Sequence, residues 1–141
     1  MALWIALQSV SARNVAYPAF TWPGLYTTYD KPLSWLDIDL QTWNPDISEV
    51  DYRVDTIVAQ HTFGNITNYQ SGRSQTSCKV IIDAAHSFGG DFEVLCEALI
   101  LSLAPTKPLT SCEGGLILTN DEGIARRAAN FVRYFGRMSE V

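Results

Sequence analysis

Asp83, His86, Ser102 and Lys107 are the residues of this sequence whose types and spacing could do chemistry together. Asp83 closes the run KVIID, in which Val80, Ile81 and Ile82 follow one another without polar alternation. That is the pattern of a strand buried on both faces. A carboxylate at the C-terminal end of such a strand is either the N-cap of the next element or a group aimed at a ligand, because open α/β sheets bind ligands outside that edge. Ser102 lies in a second apolar run, ALILSLA, and Lys107 follows Pro105, which stops the run. Alone, a lysine in a proline-flanked turn is a solvated surface charge. If the two runs share a sheet, however, their ends bring together a carboxylate, a hydroxyl and an amine, with the His86 imidazole nearby. Such a set can hold the phosphorylated aldehyde of a pyridine.

The elements that must position these groups are short. Apolar runs recur at residues 15–22, 32–40, 56–63, 79–83, 98–104 and 114–120, which predicts six strands. Turn chemistry such as Asn44-Pro45-Asp46 and Ser71-Gly72 separates them, with room for short helices, and this favours an α/β sheet over a sandwich. Residues 54–59 and 80–82 read as central strands. Residues 2–10 are apolar nearly all round, hence a helix packed on both sides. A last helix is predicted from a capping box at Thr119-Asn120-Asp121-Glu122, with Ile124, Ala128, Phe131, Val132 and Phe135 on a sheet-packing stripe and Arg126, Arg127 and Arg133 opposite.

A chain of 141 residues fits one domain. Its 47% apolar and 18% charged residues describe a globular protein, and a net charge of -5 argues against a nucleic-acid or anionic-membrane surface. Cys78, Cys96 and Cys112 show no metal-site spacing and suit reduced thiols, so no metal is expected. No run of 18 apolar residues and no basic leader occurs, which predicts a soluble cytoplasmic protein without membrane partners. A nicotinamide-binding fold is rejected, because no G-x-G-x-x-G follows the first strand and Gly89-Gly90 follows the wrong element.

The segments VAYPAFTWPG, KPLSWLDIDLQTWNPDISEVD, TIVAQHTFGN, VIIDAAHSFGG, LSLAPTKPLTSCEGGLILTNDE and RRAANFVRYFGR succeed one another across nearly the whole chain. In this order they resemble the DegT/DnrJ/EryC1/StrS aminotransferases, pyridoxal-phosphate sugar aminotransferases of fold type I. The resemblance implies an α/β fold with a mostly parallel sheet flanked by helices, and a homodimer with active sites at its interface. It implies that residues 1–141 are a single, apparently truncated piece of the cofactor-binding large domain, with the C-terminal small domain absent.

Position by position, Lys107 matches the lysine that links covalently to pyridoxal 5'-phosphate, and Asp83 the acid that pairs with the pyridine nitrogen. A carboxylate about 4 Å from a pyridinium, at an effective dielectric near 20, is worth about 4 kcal/mol, or roughly three pKa units toward the protonated ring. Ser102 matches the serine that binds the cofactor phosphate, Trp22 the aromatic that stacks on the ring, and His86 a residue beside the ring's 3-hydroxyl. Read without the family, Trp22 is a core tryptophan and His86 a satisfied core histidine. The implied reaction moves an amino group from an amino acid, with glutamate the expected donor, to a keto nucleotide-sugar. The alternative is a truncated or degenerate, inactive fragment. The family's Gly-Thr phosphate loop would lie just before Ala2, and Ala104 and Pro108 depart from the residues usual at their positions.

Overall fold

The computed structural model describes residues 1–27, 33–48, 50–67, 69, 77–88 and 96–135. Six strands form one sheet: β1 (Val15–Pro18), β2 (Leu33–Leu36), β3 (Thr56–Gln60), β4 (Lys79–Asp83), β5 (Ala98–Ser102) and β6 (Gly115–Leu118). Their order is β2-β1-β3-β4-β5-β6. The first five run parallel and β6 pairs antiparallel with β5. The expected six strands and the central place of β3 and β4 are therefore observed. The Ser71-Gly72 turn and Gly89-Gly90 lie outside the described residues.

Strand residues alternate between two apolar layers, as the two-residue period of a strand requires. Ile57, Ala59, Val80, Ile82, Leu99 and Leu101 face one layer, which Ile47, Val54 and Tyr69 close. Val58, Ile81, Ala98 and Ile100 face the other, against Ala6, Leu7 and Val10 of the first helix. Tyr17, Val58, Ile81 and Ala98 have no exposed surface. A parallel sheet needs this cover on both faces, which is why its strands read as unbroken apolar runs.

Three α-helices occur among the described residues: α1 (Ala2–Ser9), α2 (Gly24–Thr27) and α3 (Glu122–Phe135), with a 3-10 turn at Thr62–Gly64. The one-turn α2 and the 3-10 turn are too short to leave a periodic signal. Two details differ from the sequence reading. First, the capping box does not form. The Thr119 hydroxyl donates to the Glu97 carbonyl at 2.6 Å and accepts from the Asp121 amide at 3.1 Å. Asp121 caps the helix instead, its Oδ1 accepting from the Ile124 amide at 2.9 Å. Second, the α3 stripe packs largely on α1 rather than on the sheet. Ile124 and Ala128 are buried, but Phe131 and Phe135 set their rings against Trp4, at 5.6 and 5.1 Å between centroids. Arg127 secures this pairing by donating from Nε to the Ser9 carbonyl at 2.6 Å, satisfying an orphan acceptor at the end of α1.

Candidate active site

The C-terminal ends of β1, β3, β4 and β5 form one edge, and register fixes what stands there. Gln60, the last residue of β3, lies opposite Asp83, the last of β4, and Asp83 lies opposite Ile100 of β5. Asp83 is half-buried. Its Oδ1 accepts from the Ala85 amide at 3.0 Å. The carboxylate therefore caps a tight turn rather than a helix. Burial pushes the Asp83 carboxyl above the usual carboxylate range, and the Ala85 amide and the charges of His86 and Lys107 pull against that rise.

Lys107 reaches this place through the loop that joins the antiparallel pair β5 and β6. The Lys107 amide donates to the Ala104 carbonyl at 3.0 Å, closing a turn with Pro105 at its second position, where a fixed φ favours the bend. The Leu103 amide donates to Gly114 at 3.0 Å, and the Ser111 amide and Thr110 hydroxyl donate to the Leu103 carbonyl at 3.1 and 3.0 Å. Gly114 sits at φ +129°, open to glycine at little cost. The lysine is half-buried. Ser102 ends β5, and its Oγ accepts from the Ala104 amide at 3.4 Å.

Asp83 thus ends β4 and Ser102 ends the neighbouring β5, with His86 and Lys107 in the loops that follow and their charges acting on the Asp83 carboxyl. Trp22 stands in the loop after β1, on the same edge. It is 73% exposed, and its indole lies over Gly24, where an added Cβ would fall 1.9 Å from Cη2. His86 is also exposed. Neither residue is therefore a core side chain.

Sequence reading overlooked the polar residues that tie this edge together. The Thr21 hydroxyl donates to Gln60 Oε1 at 2.5 Å, and Gln60 Nε2 donates to the Thr62 hydroxyl at 3.1 Å. His61 is 2% exposed, with its Nδ1 2.9 Å from the Ser87 Oγ. The available signal was the one that found Asp83: Gln60 and His61 are polar groups closing a buried run. Beside them lies a cluster of exposed rings, Phe20, Trp43 and Phe63, with centroids 5.3 to 6.3 Å apart. Among the described residues no group of His, Cys, Asp or Glu is placed to hold a metal ion. No described helix is long and apolar enough to cross a membrane.

Solved structures share this fold. NtdA from Bacillus subtilis, determined with the cofactor PMP bound, superposes with a TM-score of 0.84 at 23% identity over 92% of this chain and 33% of its own. The sugar aminotransferase CalS13 from Micromonospora echinospora gives 0.81 at 22% identity over 99% of this chain and 45% of its own. An aminotransferase from Psychrobacter cryohalolentis gives 0.81 at 19% identity over 99% and 42%. The chain therefore spans less than half the length of these structures. The mostly parallel sheet expected of a fold type I large domain is the one observed. No curated protein matches the chain in sequence. The DegT/DnrJ/EryC1/StrS aminotransferase model matches residues 1–140, and the chain belongs to that family.

Proposed function

We propose that this chain binds pyridoxal 5'-phosphate as the large-domain part of a homodimeric aminotransferase, one that moves an amino group from an amino acid, glutamate in the first instance, to a keto nucleotide-sugar. The observation that carries the reading is the placement of Asp83 at the end of β4, Ser102 at the end of the adjacent β5 and Lys107 in the turn that follows. The cofactor-binding structure of NtdA and the sugar aminotransferase CalS13 support it.

The donor set fits the cofactor. A half-buried carboxylate gains most from a cationic partner, and a pyridinium nitrogen is one. His86, exposed on the following turn, is free to meet an oxygen on the ring. Among the described residues the Ser102 hydroxyl accepts one long bond, from the Ala104 amide, and its proton could serve a phosphate oxygen. Trp22 offers an exposed indole face at the same edge. When bound, pyridoxal phosphate supplies an electron-withdrawing ring that takes up the electrons left when a proton leaves the substrate carbon. Lys107 would hold the cofactor through its Nζ and is the base of this set that would take up and return the substrate proton. Asp83 would hold the ring nitrogen in its charged form.

Borohydride reduction after incubation with pyridoxal phosphate tests the assignment. Label is expected on Lys107 alone, and Lys107→Ala should abolish it. Label spread evenly over surface lysines would defeat the site.

A further inference from the structure

His61 is a buried titratable group that the amino-transfer chemistry does not use. It follows β3 directly, and its own amide donates to the Asp83 carbonyl at 3.0 Å. Its ring Nδ1 meets the Ser87 hydroxyl at 2.9 Å, and Ser87 is 8% exposed. The Ser87 amide in turn donates to the Ala84 carbonyl at 3.1 Å. The turn of residues 83–87 is therefore fixed at its start by the sheet and at its end by His61. Between those points stands His86, whose own side chain makes no hydrogen bond among the described residues. Its place is set by the backbone on either side. The chain after His61 leans on the same turn, since a Cβ at Gly64 would lie 3.4 Å from the His86 carbonyl oxygen.

We propose that His61 is a positioning residue, which acts through the Ser87 hydroxyl to hold the turn that sets His86 beside the Asp83 carboxylate. Either tautomer of a neutral imidazole can make the bond to Ser87, as donor or as acceptor. Burial keeps the ring neutral by holding its pKa down to about 4, so the bond has the same character throughout the neutral range. The proposal rests on the cofactor reading only for its consequence, the affinity of the site. The turn itself can be followed without any cofactor.

Three variants of the 141-residue chain test this: His61→Phe keeps ring volume and loses Nδ1, Ser87→Ala removes only the hydroxyl, and His61→Asn offers an amide near the lost nitrogen. Amide hydrogen exchange of the cofactor-free protein is the first readout. Exchange at Ala85 and Ser87 should accelerate about tenfold in His61→Phe and in Ser87→Ala, with Val58 and Ile81 in the ladder unchanged, because only the local opening becomes easier. His61→Asn should restore protection to within about twofold of the parent, and the double variant His61→Phe/Ser87→Ala should be no worse than Ser87→Ala alone, which also loses the 3.4 Å bond from the Ser87 hydroxyl to the Ala84 carbonyl. The affinity for pyridoxal phosphate should fall about tenfold in the same two variants. Unchanged exchange at Ala85 and Ser87, equal acceleration at Val58 and Ile81 in the mild Ser87→Ala variant, or effects that multiply in the double variant would each overturn the proposal. If the parent chain takes up no label at Lys107, the cofactor reading fails, and the exchange measurement still judges His61.

Discussion

Acid should destabilise this chain through His61, and by an amount the structure sets. The ordinary imidazole pKa of 6.5 falls to about 4 in the folded chain because the ring is buried. The unfolded chain therefore binds a proton in a range where the native one does not. Stability is then complete above pH 6.5 and is lost as pH falls from there through 4. The gap from 6.5 to about 4 is worth about 3 kcal/mol at about 1.4 kcal/mol per pH unit, of which about 2 kcal/mol is gone by pH 5. Against a typical domain stability of about 5–15 kcal/mol, that is a large share. Asp83 works in the opposite sense. Its folded pKa is raised, so falling pH protonates the native carboxyl first and recovers stability.

The two contributions are separated by comparing the parent chain with His61→Asn, which keeps Asp83 in place. Urea unfolding followed by tryptophan fluorescence at pH 7 and pH 5 gives four free energies. The parent should lose about 2 kcal/mol more than the variant between the two pH values. A difference within about 0.5 kcal/mol would mean that the imidazole is already charged in the native state, or reaches water, and the reasoning from burial would be wrong.

Three further outcomes are expected. Asp83→Asn should stabilise the cofactor-free chain at pH 7, since it removes a charge that burial penalises, and the gain should shrink toward pH 4 in urea titrations. Arg127→Ala, which strips the charged donor from the Ser9 carbonyl, should cost about 1 kcal/mol and lower the melting temperature by about 3–5 °C in a calorimetric scan. Asn44→Ala should cost about 2 kcal/mol by urea unfolding. The residue is 4% exposed, its Oδ1 accepts from the buried Thr62 amide at 2.9 Å and its Nδ2 donates to Asn65 at 3.1 Å, so truncation leaves partners without bonds.

The sheet was legible because burial on both faces leaves strands without polar alternation, so Val80-Ile81-Ile82 could be read as a central strand from three residues. Strand ends were less so. The run at residues 32–40 continues in apolar character, yet β2 stops at Leu36. Asp37 Oδ1 takes the Ile38 amide at 2.8 Å, and Asp39 Oδ1 takes the Gln41 and Thr42 amides at 2.8 Å each. Those side chains satisfy the backbone locally and end the ladder. The same error hid part of the site. Treating residues 56–63 as one strand carried it past Gln60, and so concealed that Gln60 and His61 share an edge with Asp83. That Asp83 and Lys107 follow the ends of adjacent strands was visible, because each closes or follows a buried run. The bond between His61 and Ser87 spans 26 positions and has no local pattern.

Two carboxylates at opposite ends of the sheet show where the chain departs from folding economy. Asp55 stands just before β3, at the N-terminal edge. Burial alone would raise its pKa, but the Thr56 hydroxyl, the Arg13 and Asn14 amides and the Lys79 charge outweigh it and hold the carboxyl low. Its bonds from Arg13 are 3.0 and 3.1 Å. That group is satisfied and contributes to stability. Asp83, at the C-terminal edge, has the Ala85 amide and the influence of His86 and Lys107 in its favour, and burial still prevails. The same edge carries other costs. Trp43 and Phe63 hold φ values of 62° and 53°, in the left-handed region that side chains avoid at roughly 1–2 kcal/mol each, and both present exposed rings. The Asn44 and Asn65 amides tie their two loops together and keep them there. Selection for stability alone would not gather an under-satisfied carboxylate, two left-handed aromatics and an exposed tryptophan at one end of a sheet. Local penalties that cluster this way mark a surface shaped for a ligand. A cationic ring nitrogen at Asp83 would remove the largest of them, so binding and stability should rise together.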